Sequence, residues 1–260
     1  MNSRRSITKR VRLDRKFFRQ DAVSVARALL GQQLVRMENG RRLAGLIVET
    51  EAYLGEEDKA AHSYGGRRTN RTEPMYGDGG TVYVFLNYGI HCLLNFAVQK
   101  NDQPHAVLIR ALEPTEGIER MQQLRPAAKR PTDLCSGPGK LAAALAIDRS
   151  WNHEDAVTSQ RLFVERLHNG NLPDDKIVST ARIGVDYARR MGRPALAFLP
   201  ARQSACECCS SWGLVTSSIT MERVVHSSEG KSYSKSSLTL RADSAGKRKF
   251  AIPKLGAGDS

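Results

Sequence analysis

QQLVRMENGRRLAGLIVETEAY, residues 32–53, sets two apolar runs on either side of Asn39-Gly40. Asn-Gly accepts two successive positive φ values, the geometry of a tight type I′ turn, so the stretch predicts a hairpin whose second strand ends at Tyr53. Side chains alternate along a strand, which would put Ile47, Glu49, Glu51 and Tyr53 on one face and Leu46, Val48, Thr50 and Ala52 on the other. A face bearing two carboxylates and a phenol is poor material for a core.

Upstream of this hairpin, Asp21 sits at an N-cap position and Val25, Ala28 and Leu29 recur at helical spacing until Gly31, which predicts a helix. Downstream, GTVYVFL (80–86) and IHCLLNFAV (90–98) are strand-like runs joined by Asn87-Tyr88-Gly89, so Tyr88 should stand at the tip of a second hairpin. A lone surface tyrosine needs no function, but in a basic protein the alternative is a wedge that slides between stacked bases. HAVLIRALEP (105–114) is a further strand, and Arg110 in its middle must find water or an anion. TEGIERMQQLR (115–125) reads as a helix. LCSGPGKLAAALAI (134–147) reads as a glycine-rich loop opening another, with Ser136 as cap and Lys140 in the first turns. Such a start is either a plain capped helix or an anion site; it is not a Walker motif, which needs GxxxxGK[ST].

The whole chain of 260 residues has 40 Lys and Arg against 27 Asp and Glu, a formal net charge of +13, and 40% apolar content, enough for a core. With a pI near 9.8 it should attract polyanions, nucleic acid first. An acidic membrane surface is the other polyanion open to such a charge, but no stretch approaches the roughly 18 to 20 apolar residues of a spanning helix and a mean hydropathy of −0.43 agrees, so no membrane partner is expected. The basic opening, MNSRRSITKRVRLDRKFFRQ, lacks the apolar centre of a secretory signal, with a short transit peptide as the competing reading. Cys92, Cys135, Cys206, Cys208 and Cys209 form an odd set that suits a reducing compartment; the single CxxC is read as a thiol cluster rather than a zinc site. From Pro200 the composition turns Ser- and Lys-rich, as in a weakly ordered extension.

A carboxylate beside tyrosine and histidine suggests general acid/base chemistry, with Glu49 or Glu51 activating a water, and spacing does not choose between them. Both could instead pair with arginines on neighbouring strands. A metal held by Glu49, Glu51 and His62 is a rival, though no tight ligand spacing supports it. Tyr53, Phe85 and Tyr88 are ordinary core candidates taken singly; with the positive charge they suggest stacking on bases.

VETEAYLGEEDKAAHSYGGRRTNRTEPMY (48–76), GTVYVFLNYGIHCLLN (80–95), VLIRALEP (107–114) and LCSGPGKLAAALAI (134–147) together closely resemble the alkyladenine (3-methyladenine) DNA glycosylase family. The resemblance runs from about Leu13, where LDRKFFRQDAVSVARALLGQQLV begins, to about Leu199. It implies a mixed α/β (α+β) fold: one domain over residues 13–199 with a curved antiparallel sheet, a basic tail at 1–12 and a Ser/Lys-rich tail at 200–260. It further implies a monofunctional enzyme that flips a damaged purine from double-stranded DNA and hydrolyses its N-glycosidic bond, acting as a monomer without metal or cofactor. Its expected location is the cytoplasm of a bacterium, in association with the nucleoid, or the nucleus of a eukaryote. By match to the family motif, Glu51 rather than Glu49 is the base and Arg110 helps to hold the water. Tyr53, His62 and Phe85 wall the base pocket, Asn95 crowds a guanine 2-amino group, Tyr88 is the wedge, and Arg67, Thr69 and Lys140 approach the DNA backbone.

This chain departs from the family pattern in two places. Phe85 replaces a tyrosine found in many relatives, keeping the stacking face and losing a hydroxyl. After LAFL the family continues into an RG-N/S-P segment, whereas this chain turns to PARQSACECC, next to a Leu199 carbonyl expected to help position the water. The altered end leaves a second reading, a catalytically silent protein that binds damaged DNA.

Overall fold

The chain is described from a computed structural model, which covers residues 11–180, 182 and 196–200. It divides into two units, Met1–Ser204 and Ala205–Ser260, and every described residue lies in the first. The cysteine cluster at 206–209 and the rest of the Ser/Lys-rich tail therefore lie outside the described residues, as do residues 1–10.

The framework among these residues is an antiparallel sheet of β1 (Val11–Arg12), β2 (Gln33–Glu38), β3 (Arg41–Tyr53), β4 (Val82–Asn87), β5 (His91–Val98), β6 (His105–Glu116), β7 (Leu162–Arg166), β8 (Ile177–Thr180) and β9 (Leu196–Pro200). The main path runs β1-β7-β2-β3-β6-β5-β4. β3 leaves β2 after Leu46 and takes β9 as its neighbour along Thr50–Ala52, with β8 beyond it. Helices α1 (Arg15–Phe18), α2 (Ala22–Leu29), α3 (Ile118–Leu124) and α4 (Pro138–Ala144) complete an α+β fold, α2 against β3 and β6 and α4 against β5 and β6. None of the described helices is long and apolar enough to cross a membrane.

Local chemistry explains most of these elements. Asn39 and Gly40 have φ of 49° and 78°, the pair of left-handed residues that turns β2 into β3. Asp21 caps α2 by accepting from the Ser24 amide at 2.9 Å, and Val25, Ala26 and Leu29 enter the main core with Phe18, Leu94, Phe96, Val107 and Ile109. That core fills one face of the sheet. The other face of β4 to β6 carries a smaller cluster of Met75, Tyr76, Tyr83 and Ala106, with Phe85 packed against it, under a stretch containing three short 3-10 turns, Gly55–Glu57, Tyr64–Gly66 and Glu73–Tyr76.

Three sequence expectations are corrected. Val11 and Arg12 are not tail: they pair with Arg166 and Glu165 of β7, and Leu13 is core, so the sheet begins before Leu13. Ser136 is not the cap of α4; Gly137 holds that position and the Ser136 hydroxyl bonds to the Asp133 carbonyl, while Pro138 with its preset φ starts the helix. Strict alternation along β3 also fails. Ile47 pairs with Leu112, Glu49 with Ala111 and Thr50 with Ile109, so Val48 is an extra residue in β3 and Arg110 an extra residue in β6. These two bulges cancel in register but switch the faces. Before them Leu43 and Ile47 face the core; after them Thr50 and Ala52 do, with the Thr50 hydroxyl donating to the Ala26 carbonyl at 2.9 Å. Ile47 is therefore on the opposite face from Glu49, Glu51 and Tyr53.

Candidate active site

Four residues directly paired across the sheet, Glu51 of β3, Leu108 of β6, Asn95 of β5 and Tyr83 of β4, point to the same face because opposed residues in an antiparallel sheet share a side. At about 4.8 Å per strand, Glu51 and Asn95 stand roughly 10 Å apart. The row forms a floor: a carboxylate at one end, an aliphatic in the middle, an amide and a phenol at the other.

At the carboxylate end the bulges set the chemistry, since a bulged residue is re-aimed and Arg110 is one. Its Nη1 lies 3.2 Å from Oε1 of Glu51, and its Nε donates to Glu49 at 2.9 Å. Tyr53 donates its hydroxyl to Oε2 of Glu51 at 2.8 Å. Glu51 is thus fully buried and addressed by donors on both oxygens, while Glu49 is partly exposed and acts on Arg110. Burial and then the Glu51 charge push the Tyr53 phenol pKa up, so it remains a donor. β9 lies against this end of β3, with Ala197 opposite Glu51.

At the far end, His62 sits between the first two 3-10 turns, its Nδ1 2.8 Å from the Tyr83 hydroxyl and its ring edge-on to Phe85 with centroids 4.4 Å apart. Burial, then the charges of Arg71 and Arg67, lower its pKa to about 4, so the ring is neutral near pH 7. Burial pushes the Tyr83 phenol up to about 12. The Asn95 amide donates to the Tyr83 and Leu93 carbonyls, both at 3.2 Å. Arg71 closes this end: its guanidinium lies 5.5 Å from the Phe85 ring centroid and 3.4 Å from His62 Nε2. An open cleft on this side of the molecule is lined by Lys59, His62, Tyr64 and Arg67; Glu51 is not among its lining residues.

The remaining expected residues lie outside the floor. Tyr88 is 87% exposed at the tip of the β4–β5 hairpin, with φ of 49°, and Ile90 beside it is 73% exposed. Gly139 of α4 is packed so closely on His91 that a Cβ there would come within 2.9 Å of the histidine Cβ, which seats the start of α4 beside the hairpin. Lys140 is exposed on that helix and donates to Ser136 at 3.0 Å. Arg67 is exposed; Thr69 is exposed too, but its hydroxyl is engaged in a turn with Thr72.

Sequence reasoning missed Tyr83, Arg71, Asp58 and Arg182. Tyr83 was discoverable, since it shares a strand face with Phe85. Asp58 accepts from the Leu54 and Ala60 amides, both at 3.0 Å, and holds Arg182 through two bonds of 2.6 and 2.8 Å. Burial opposes the ionisation of Asp58, but Arg182 and these amides outweigh it and lower its pKa. Arg182 also donates to the Ala52 carbonyl at 3.0 Å, and its guanidinium lies over the Tyr53 ring, 4.5 Å from the centroid. No local pattern links residues 130 positions apart. Among the described residues no three His, Cys, Asp or Glu side chains are grouped as metal ligands, and Glu49 and Glu51 converge on Arg110 instead.

The likeness to known proteins covers the same part of the chain. A protein of Natranaerobius thermophilus named as a candidate 3-methyladenine DNA glycosylase is 47% identical over 179 residues, 68% of this chain and 89% of its own length. Human DNA-3-methyladenine glycosylase is 46% identical over 198 residues, 72% of this chain and 65% of that one. The mouse protein of the same name is 45% identical over 196 residues, 72% of this chain and 58% of its own. Residues 16–202 match methylpurine-DNA glycosylase as a family, and the chain accordingly belongs to the methylpurine-DNA glycosylase family of DNA repair hydrolases.

Proposed function

We propose that this glycosylase acts as a monomer on double-stranded DNA, draws an alkylated or deaminated purine of the 3-methyladenine and hypoxanthine class out of the stack, and cuts its N-glycosidic bond with a water activated by Glu51. The observation that carries the reading is the environment of Glu51: buried, with Arg110 and Tyr53 donating to its oxygens, at the end of a floor whose other end is aromatic. A general base must present acceptor oxygens in a fixed direction, and two donors fix them. Arg110 lies close enough to share a water with Glu51. Glu49 holds the other side of that guanidinium and is a supporting residue.

Tyr53, His62 and Phe85 bound the space above the floor, stacking on the flipped purine, with neutral His62 hydrogen-bonding to its edge. Asn95, on the floor, crowds the position of a guanine 2-amino group. Flipping costs a few kcal/mol of stacking, least at a damaged or mispaired base. Tyr88 fills the gap left in the duplex, and Arg67, Thr69 and Lys140 meet the backbone. Phe85 supplies the stacking face without a hydroxyl, so Phe85→Tyr should leave excision nearly unchanged.

The test is single-turnover release of 3-methyladenine or hypoxanthine from duplex DNA. Glu51→Gln should lower the rate by about 10² to 10⁴, the usual contribution of a general base, with DNA affinity retained. Equal release by parent and variant would remove Glu51 from the mechanism. A covalent protein–DNA adduct trapped by borohydride would replace water with an amine nucleophile.

A further inference from the structure

On the reading that Tyr53 stacks on the flipped base, we propose that Arg182 is a specificity-determining residue of the pocket: held by Asp58 against one face of the Tyr53 ring, it biases the other face toward neutral rather than cationic purines.

Arg182 is only 6% exposed and sits behind the pocket wall. Three of its contacts tie together parts of the site that are separate in sequence. It bonds to the Ala52 carbonyl, between Glu51 and Tyr53 on β3; it forks onto Asp58, in the loop that runs on to His62; and its guanidinium covers the Tyr53 ring. The Nε of Arg182 has no hydrogen-bond partner among the described residues, so part of the charge is met by the ring alone.

An aromatic face attracts a cation because its π density is negative. Arg182 already draws on that density from one side. A second cation on the opposite face, such as an N-alkylated purine, meets a depleted ring and a like charge beyond it, with little water between to screen the repulsion. A neutral purine escapes the repulsion and stacks on an electron-poorer ring. Asp58 balances the pair as seen from a distance, but it takes the Nη1 and Nη2 donors, whereas the guanidinium carbon itself lies over the ring, 4.5 Å from its centroid. Without Arg182, Tyr53 would favour cationic alkylpurines more strongly than it does.

The experiment compares full-length parent, Arg182→Gln/Asp58→Asn and Arg182→Lys for single-turnover excision of 3-methyladenine, cationic in DNA, and hypoxanthine, neutral, from otherwise identical duplexes. The amide introduced by Asp58→Asn keeps an acceptor oxygen for one of the Leu54 and Ala60 amides, which meet different oxygens of Asp58, and the double variant leaves no buried charge alone. The expected result is a cationic-to-neutral rate ratio about tenfold above the parent in the neutral double variant, the scale of one cation–π contact. Arg182→Lys, which keeps the charge, should slow both bases and hold the ratio within about twofold of the parent. Loss of both activities by one common factor in the neutral variant would make Arg182 merely structural and overturn the proposal. Should thermal unfolding show that the double variant does not fold, Arg182→Lys decides alone: a ratio kept near the parent value supports the proposal, and a ratio moved despite the retained charge overturns it. A parent that releases neither base would refute the pocket reading itself, a separate failure.

Discussion

Neutrality at His62 is imposed by its surroundings. Burial removes water from the ring, and Arg71 and Arg67 oppose a further positive charge, which takes its pKa from 6.5 to about 4. Below pH 6.5 the unfolded chain takes up a proton on His62 that the folded protein refuses until about pH 4. The unfolded state therefore binds more protons in that window, and the folded state loses stability as pH falls through it. Carboxylates with lowered pKa values, such as Asp58 and Asp78, act in the same direction at the acid end, so the contribution of His62 has to be isolated by difference. His62→Asn lacks the titration. Denaturant unfolding of parent and variant between pH 7 and 4 should show the parent losing more stability on acidification than the variant does. A gap that stays constant with pH would mean that His62 titrates normally.

On the proposed wedge role of Tyr88, the β4–β5 hairpin sets stability against use. Tyr88 holds φ of 49°, and Gly89 follows at 72°, with the Ile90 amide closing the turn on the Asn87 carbonyl at 3.0 Å. A bulky L-residue in the left-handed region costs on the order of 1 kcal/mol, and glycine costs none. Tyr88→Gly should therefore raise stability by about 1 kcal/mol while lowering excision from duplex DNA by about tenfold, because the stacking of one aromatic is worth ~1 to 3 kcal/mol. Excision from a single strand, which has no gap to fill, should change little. Unaltered duplex excision in a better-folded variant would strip Tyr88 of the wedge role. The same hairpin shows which elements a sequence announces. Asn39-Gly40 and Tyr88-Gly89 mark their turns because the required φ values restrict the residues that fit, and Asp21 marks α2 through a bond to its own helix. A bulge leaves no such mark: Val48 and Arg110 are ordinary strand residues, and only the pairing of β3 with β6 shows that the faces exchange there. Alternation still puts Glu51 and Tyr53 on one face, because both follow the bulge. Of the four partners that sequence left out, Tyr83 was legible from the strand face it shares with Phe85, whereas Arg71, Asp58 and Arg182 become site residues only through contacts made after the sheet has formed.

Over the whole molecule, the excess of 13 positive charges is less evenly available than composition suggests. Many arginines are paired: Arg15 and Arg19 with Asp78, Arg42 with Glu116 and Glu165, Arg68 with Glu73 and Asp102, Arg120 with Glu38, and Arg161 with Glu154. Among the described residues no carboxylate pairs with Lys59, Arg67, Arg71 or Lys140, all near the His62 cleft or beside the hairpin that carries Tyr88. An unpaired cation displaces counterions from DNA, whereas a paired one must first give up its partner. Each phosphate contact adds about 0.9 to the magnitude of the slope of log affinity against log salt on duplex DNA. Lys140→Gln and Arg67→Gln should each lower that slope by about 1 and weaken damaged and undamaged duplexes alike, the mark of a backbone contact. Arg68→Gln removes a cation already satisfied by Glu73 and Asp102 and should leave the slope nearly unchanged. Equilibrium binding of an undamaged duplex across a salt series reads all three, and equal slope changes for Arg67 and Arg68 would show that net charge, rather than the unpaired cations around the site, sets DNA affinity.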